Sequence, residues 1–263
     1  MPKPVRNVKK IMVEHKYLGS DFISTGISNG SSEKILLHVC CAPCATTVIK
    51  RLQAAGYEVH GFFYNPNIQP EEEYYKRLLE AQRISKLWNI PLEIGEYDWD
   101  RWQAEIRGLE KEKEGRKRCL VCYRYRLSAV AQKAKELGIR IIASTLTISP
   151  RKRADVINPI GKEVCDELEI KFYEADWKKQ DGFKHSLEIC KELAIYRQNY
   201  CGCKYSIRQI TTKPIETKPH KVLKVTKTKP EIEPAPAIVP KPKSEIPKWL
   251  RKKKTKPWRQ SKN

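Results

Sequence analysis

A short apolar segment that ends in three closely spaced cysteines constrains this chain more than any other feature. Residues 35–39 read ILLHV, and this run of branched aliphatic side chains predicts a strand buried on both faces, as in a parallel sheet. Cys40, Cys41 and Cys44 follow, and residues 46–55 predict a helix that ends at a glycine. The thiols should therefore lie on a turn between a strand and a helix amino terminus, where α/β proteins bind ligands.

Strand-like and helix-like patterns alternate through most of the chain. The clearest helix covers residues 119–137, with apolar side chains at three- and four-residue steps, and short β-branched segments such as 139–145 lie between helices. This alternation predicts an α/β fold with a Rossmann-like parallel sheet of about five strands. We expect a flexible N-terminal lead (1–33), an α/β domain that carries the chemistry (34–208) and a tail (209–263).

The charge of the chain is strongly positive, at +21. Residues 209–263 hold 16 Lys and Arg against four Glu, and the rest of the chain keeps 36 basic and 27 acidic residues. Nine of the 17 prolines also lie in this tail, so we expect it to be extended and disordered. Both regions are basic, which favours a polyanion such as nucleic acid as partner. For the tail, solubilisation alone is the alternative.

The nine cysteines are not spread like a secreted disulfide framework. Residues 1–16 lack the apolar region of a signal peptide, and no apolar run approaches a membrane span. We therefore expect a cytoplasmic chain without a membrane partner, whose clustered thiols bind metal or perform redox chemistry. Seven cysteines form three groups: Cys40, Cys41 and Cys44; Cys119 and Cys122; Cys201 and Cys203.

The second group places two sulfurs one turn apart at the start of a predicted helix, at Cys119 and Cys122. This spacing occurs in zinc sites, iron–sulfur sites and dithiol switches. Adjacent cysteines such as Cys40 and Cys41 can bind different irons of one cluster, whereas zinc usually takes ligands separated by two to four residues. Together the four thiolates would satisfy a [4Fe–4S] cluster, and zinc and redox dithiols are the open alternatives.

Cys201 and Cys203 form a different kind of pair, separated only by Gly202. Their sulfurs are too close for a comfortable chelate, but a strained and easily reduced disulfide is possible. We interpret them as a redox-active pair, with a second metal site as the alternative. Cys44 stays ambiguous, because with Cys41 it also forms a C-x-x-C ligand spacing.

Four motifs together make the chain similar to a known family. HVCCAPC at 38–44, RCLVCY at 118–123, DWKKQDG at 176–182 and YCGC at 200–203 resemble, in this order, the epoxyqueuosine reductases of the QueH type. The resemblance implies an oxidoreductase that performs the last step of queuosine synthesis. In that step, epoxyqueuosine at the wobble position of tRNA loses its epoxide oxygen as water and becomes queuosine.

The resemblance also implies a set of site residues, cofactors and partners. The ligands of a [4Fe–4S] cluster would be Cys40, Cys41, Cys119 and Cys122, and the redox-active pair would be Cys201 and Cys203. An additional iron is compatible with this resemblance. The partners would be tRNA carrying epoxyqueuosine and an unidentified low-potential electron donor. The fold should resemble the adenine-nucleotide α-hydrolase group, but the cysteine turn replaces that group's Ser-Gly-Gly loop, so we do not expect ATP binding.

The reaction needs an acid that protonates the departing oxygen. Asp176, at the end of the last predicted strand, is the candidate, and a helix cap or a salt bridge to Lys178 or Lys179 is the alternative. Four cations are candidates for binding phosphates of the anticodon loop: Lys178, Lys179, Arg151 and Lys152. The alternative for each is an ordinary side chain on the solvated surface. Trp177 could stack on a base, with core packing as the default.

Two other functions stay open at this point. A tRNA sulfur-transfer enzyme would share the fold and the cysteines, but it would need a phosphate-binding glycine loop, which is not evident near residues 35–47. A zinc-stabilised RNA-binding module would need neither iron nor redox chemistry. Metal analysis separates that module from the reductase.

Overall fold

Five parallel strands form one sheet in the computed structural model, which describes residues 32–207. The strands are β1 (Lys34–His38), β2 (Glu58–Phe63), β3 (Leu92–Ile94), β4 (Ile141–Ser144) and β5 (Lys171–Phe172). Their order across the sheet is β3-β2-β1-β4-β5. This is the doubly wound order of Rossmann-like proteins, so the predicted fold class is confirmed.

Six α-helices connect or follow the strands in the described part of the chain. They are α1 (Ala42–Ala54), α2 (Glu71–Leu87), α3 (Trp99–Glu105), α4 (Lys117–Glu136), α5 (Ala154–Asp166) and α6 (Gly182–Glu192), with short 3-10 helices at Thr145–Ile148 and Lys204–Ser206. No helix among residues 32–207 combines the length and the apolar character needed to cross a membrane.

The central strand β1 is buried on both faces, as its sequence predicts. Leu36 packs into the core under α4 and α5, whereas Ile35 and Leu37 pack into the core under α1 and α2. β1 pairs with β2 on one side and with β4 on the other. The strand order therefore reverses next to β1, and a crevice at the carboxyl ends of β1 and β4 is the expected ligand site of such a sheet.

The first helix begins earlier than the sequence pattern predicts, at Ala42 and not at Thr46. Pro43 fits the first helical turn, where a missing backbone N–H is not needed by the helix. Cys41 is the extended residue just before the helix, so Cys44 lies within its first turn. The predictions for the tail (209–263) and for nearly all of the lead (1–33) concern parts of the chain outside the described residues.

Candidate metal centre

Cys40, Cys41 and Cys44, together called the cysteine turn below, form a compact group of sulfurs at the carboxyl end of β1. Their Sγ atoms all lie within 4.8 Å of one another. The Sγ atoms of Cys40 and Cys41 are 3.8 Å apart. Cys40 and Cys41 are buried and Cys44 is partly buried, so three soft ligands converge on one protected point.

Mutual hydrogen bonding makes the three free thiols unequal. Hydrogen bonds from Cys41 and Cys44 hold the pKa of Cys40 well below its usual range. The same interaction with Cys40 raises the pKa of Cys41 to about 12 and that of Cys44 well above its ordinary value. The two neighbouring thiols therefore favour the thiolate form at Cys40, and the thiolate is the form that binds a metal.

Groups from distant parts of the chain also hold the sulfurs in place. The Cys40 backbone N–H donates to Thr145 Oγ1 over 3.0 Å. The Thr145 hydroxyl lies 3.2 Å from Cys40 Sγ and 3.0 Å from the His38 carbonyl oxygen, and it can donate to either. On the other side, Gln198 Nε2 donates to Cys41 Sγ over 2.9 Å. Such contacts orient metal ligands and tune the metal.

His38 is a buried histidine whose ring contacts polar groups of the core. Its Nδ1 lies 3.0 Å from Ser144 Oγ, and its Nε2 lies 3.2 Å from the carbonyl oxygen of Tyr64. Arg126 Nη2 is 3.3 Å from the same Nε2. Burial, helped by the Arg126 charge, lowers the pKa of His38 to about 3. These contacts agree with a satisfied core histidine.

Cys119 and Cys122 lie in the first turns of α4, as predicted, but they join different clusters of the core. Cys119 packs in the same core cluster as Cys40 and Cys41, and its Sγ accepts a hydrogen bond of 3.1 Å from the Gly115 N–H. Cys122 packs with Cys203 in a separate cluster. Burial raises the pKa of both α4 thiols. The second cysteine group thus lies between the other two.

Cys201 and Cys203 lie on a C-terminal strap, defined here as residues 196–203, that is pinned to α2. Arg77 on α2 donates from Nη1 to the Cys201 carbonyl oxygen over 2.9 Å and from Nη2 to the Tyr200 carbonyl oxygen over 3.3 Å. Tyr196 donates its hydroxyl proton to Glu73 Oε2 over 2.8 Å. Cys201 is partly buried and Cys203 is buried, and all nine cysteines are free thiols.

Gly202 between the two cysteines is required by the close approach of the strap. Its φ is +127°, and a Cβ there would lie 2.9 Å from Ile68 Cγ1 and 3.0 Å from Arg77 Nη1. The backbone of Gly202 also accepts a hydrogen bond of 2.8 Å from the Gln69 N–H. The glycine therefore lets the strap lie flat against the segment that leads into α2.

A cavity of about 510 Å³ opens onto the first and third cysteine groups. Cys40, Cys44 and Cys201 all line it. Its charged lining is mostly cationic, since Glu114 is its one carboxylate among the described residues and the cations are Arg77, Arg126, Arg151, Lys152 and Arg197. A cavity of this size accepts a small molecule or a single nucleoside, and its charge favours an anionic ligand.

Lys152 is one of three buried cations from the described residues that line this cavity, with Arg77 and Arg126. Its exposed fraction is 8%. Burial alone would lower its pKa, but the thiols of Cys201 and Cys40 raise the pKa of Lys152 above its ordinary value. An ammonium group is therefore kept charged beside the sulfurs. Lys152 is therefore not a solvated surface side chain, which was the alternative to a phosphate contact.

Asp176 does not line the cysteine cavity. Its Oδ1 lies 2.6 Å from Lys178 Nζ, which is the alternative that the sequence left open. Lys178 Nζ also donates to the carbonyl oxygens of Thr147, over 2.9 Å, and Lys152, over 3.1 Å. Asp176 is thus connected to the cavity through Lys178 and the backbone of Lys152, and it borders a separate, open cavity beside α5.

The DWKKQDG segment has a structural role that the sequence did not reveal. Trp177 is buried, and its Nε1 donates to the Ser144 carbonyl oxygen over 2.9 Å, so it packs in the core. Arg51 of α1 is fully buried and donates to the carbonyl oxygens of Trp177, Lys179 and Gln180. The segment is therefore clamped between α1 and β4.

The sulfur set fits an iron–sulfur centre. Thiolates are the ligands of such clusters, and the clustered cysteines here are mostly buried, with hydrogen bonds to the sulfurs of Cys119 and Cys41. Among the described residues, the group within 4.8 Å contains Cys40, Cys41 and Cys44 but not Cys119 or Cys122. A four-iron cluster binds each thiolate at a different iron and spreads its ligands wider, so the four-cysteine ligand set stays a prediction.

Comparison with known proteins gives a consistent match to one family. The profile described as Epoxyqueuosine reductase QueH matches residues 35–209. A protein named Epoxyqueuosine reductase QueH from Streptococcus pyogenes serotype M1 is 41% identical over 66% of this chain and 70% of its own length. The Thermotoga maritima protein of the same name is 36% identical over 69% of this chain and 94% of its own.

A solved structure with a weaker likeness is the U34-tRNA thiolase NcsA from Methanococcus maripaludis with its [4Fe-4S] cluster. It is 14% identical, has a TM-score of 0.45, and the match covers 74% of this chain and 66% of that one. The profile match and the sequence relatives show that this chain belongs to the epoxyqueuosine reductase QueH family.

Proposed function

We propose that this chain reduces epoxyqueuosine to queuosine at the wobble position of tRNA. The observation that carries the proposal is the convergence of Cys40, Cys44 and Cys201 on one basic cavity, in a chain that belongs to the QueH family. The cavity is large enough for one nucleoside lifted out of an RNA loop, which is how proteins usually read single-stranded RNA. The basic lining suits the phosphates on either side of that nucleoside.

The reaction needs two electrons and two protons. Both C–O bonds of the epoxide break, a carbon–carbon double bond forms between the two carbons, and the oxygen leaves as water. Oxidation of two thiols to one disulfide releases two electrons and two protons, so a Cys201–Cys203 pair would balance one turnover. We propose this role for the two strap cysteines, and an external low-potential donor would then reduce their disulfide.

Cys40, Cys41, Cys119 and Cys122 are proposed to hold a [4Fe–4S] cluster, with Cys44 as a further sulfur at the cavity wall. When bound, such a cluster supplies electrons one at a time. The residues around it have their own tasks. Thr145 and Gln198 hold the sulfurs of Cys40 and Cys41, while Lys152 places a positive charge beside the cavity.

The proton for the departing oxygen is proposed to pass through Asp176, which then regains a proton that the oxidised thiols release. In the free protein its carboxylate is paired with Lys178, so it must be released from that pair before it can donate. Binding of an RNA phosphate to Lys178 would do this. Glu114, the carboxylate of the cysteine cavity, is the competing donor because it is already on the cavity wall.

The test is anaerobic reconstitution with iron and sulfide, followed by incubation with tRNA that carries epoxyqueuosine and a low-potential reductant. We expect nucleoside analysis to show conversion of epoxyqueuosine to queuosine. A gain of sulfur by the tRNA would instead identify a sulfur-transfer enzyme. One colourless zinc per chain and no labile sulfide would identify a zinc-stabilised RNA-binding module and overturn the proposal. A cytoplasmic location follows from the tRNA substrate and is part of the same proposal.

A further inference from the structure

Gln198 joins the strap to the cysteine turn by one hydrogen bond. Its Nε2 donates to Cys41 Sγ over 2.9 Å, between residues that are 157 positions apart in the chain. Gln198 also lines the cysteine cavity. Its amide therefore stands between the cavity and a thiol that is proposed above as a cluster ligand.

The other end of the same amide has no comparable contact. Gln198 Oε1 is buried and has no hydrogen-bond partner within residues 32–207. An unsatisfied buried carbonyl oxygen lowers stability, and an apolar side chain of similar size would avoid that cost. Packing alone thus does not account for a glutamine at this position. What the amide adds is its N–H, and that N–H is directed at sulfur.

The position of Gln198 is fixed on both sides. Before it, Tyr196 bonds to α2 through its hydroxyl, to Glu73, and its N–H donates to Glu80 Oε2 over 3.3 Å. After it, Arg77 holds the carbonyl oxygens of Tyr200 and Cys201. The amide is therefore held toward Cys41 by the fold of the strap, which is what a fixed tuning contact requires.

We propose that Gln198 is a positioning residue that raises the reduction potential of the iron–sulfur centre through its N–H···S bond to Cys41. The inference rests on the proposed function, because it takes Cys41 as a ligand of that centre. Reduction adds negative charge to a cluster and its thiolates, so a hydrogen-bond donor stabilises the reduced form more than the oxidised form. The strap thus carries both the proposed redox pair, Cys201 and Cys203, and the residue that tunes the potential of the centre.

The experiment compares midpoint potentials of the reconstituted full chain and its variants, measured by an equilibrium redox titration monitored by electron paramagnetic resonance. Gln198→Leu removes the donor at similar size. Gln198→Glu keeps the shape but replaces the donor with a carboxylate oxygen. Asn199→Leu is the matched control, since Asn199 also lines the cavity but is exposed and next in sequence. Iron and labile sulfide are quantified in every sample.

We expect the potential to become more negative in Gln198→Leu and still more negative in Gln198→Glu, with full iron content. The Asn199→Leu potential should equal that of the unchanged chain. An unchanged potential in both Gln198 variants would overturn the inference. So would the loss of iron from both variants, because Gln198 would then be a residue that holds the centre in place and does not tune it.

This test separates the inference from the proposed function, because the titration needs no tRNA. If the Gln198 variants shift the potential but the unchanged chain leaves epoxyqueuosine intact, the inference stands and the proposed reaction is wrong. If the unchanged chain forms queuosine and the variants show no shift, only the inference is wrong.

Discussion

Arg77 donates from Nη1 to the carbonyl oxygen of Cys201 over 2.9 Å, and this contact ties the third cysteine group to helix α2. The same guanidinium is paired with Glu73, four residues earlier on the helix, at 2.7 Å. Both side chains are buried, with exposed fractions of 2% for Arg77 and 9% for Glu73. One buried ion pair thus positions the strap that carries Cys201 and Gln198.

Replacing Arg77 by Met should destabilise the protein strongly. The change leaves the Glu73 carboxylate buried without its cation, and removing one partner of a buried pair costs about 3–5 kcal/mol. The free energy of unfolding in urea measures this loss. Arg83→Met is the control, because the Arg83–Glu80 pair lies on the same helix but is 42% exposed at Arg83 and should contribute less than about 1 kcal/mol. Equal losses in the two variants would contradict the structural role given to Arg77.

Gly202→Ala should lower turnover by about 10- to 100-fold, since a small displacement of reacting groups is enough for such a loss. The new Cβ would force the strap away from Ile68 and Arg77 and so move Cys201 and Cys203. Single-turnover conversion of epoxyqueuosine measures the effect. Gly108→Ala is the matched control: Gly108 also has a positive φ, +83°, but a Cβ there meets nothing within 4 Å. An equal loss of turnover in both variants would show that backbone strain causes the loss, and not the approach of the new Cβ to Ile68.

Much of the fold can be predicted from the sequence because local patterns determine it. Helix α2, Glu71–Leu87, follows from local signals, since Pro70 precedes the helix and three acids fill its first turn. The central apolar strand and the thiols at its carboxyl end are confirmed as well. The predicted start of α1, residue 46, was wrong. Proline has a low helix propensity, which suggested a break at Pro43, but proline is favourable in a first helical turn.

The residues that position or line the site outside the cysteine motifs could not be predicted in the same way. Arg77 and Gln198 belong to it only through contacts with residues more than 100 positions away, and their sequence surroundings resemble any polar helix or loop. Glu114 lies in a charged loop with other acids, so no local signal distinguishes it. For Trp177, core packing was the default prediction, and its burial and its hydrogen bond to the Ser144 carbonyl oxygen confirm it.

Cysteine-to-serine variants should place the four proposed cluster ligands and Cys201 of the strap in two functional classes. Cys40→Ser, Cys41→Ser, Cys119→Ser and Cys122→Ser should each reduce iron content and visible absorption, because serine is a poor ligand for a cluster that prefers thiolates. Cys201→Ser should keep the absorption and lose turnover. Iron and sulfide analysis with visible spectra measures the first effect. Cys190→Ala, at a buried thiol in a separate apolar cluster, is the control and should keep its iron.

The opposite pattern for either class would reassign the ligands. Retention of the centre in Cys119→Ser and Cys122→Ser, together with its loss in Cys44→Ser, would move the metal to the group within 4.8 Å at the cysteine turn. Retained turnover in Cys201→Ser would exclude a redox role for the strap pair.

The two candidate proton donors differ in what their loss should do to the kinetics. Asp176→Asn removes a carboxylate that is held 2.6 Å from Lys178 outside the cysteine cavity, and Glu114→Gln removes the carboxylate on the cavity wall. If Asp176 donates the proton, Asp176→Asn should lower kcat by about 10²- to 10⁴-fold with little change in KM for the tRNA, the usual range for losing a general acid. Glu114→Gln should then change kcat by less than about tenfold. Steady-state kinetics with epoxyqueuosine tRNA measures both effects. A large loss of kcat in Glu114→Gln with near-normal kcat in Asp176→Asn would transfer the role to Glu114, since that carboxylate lines the same cavity as Cys40, Cys44 and Cys201.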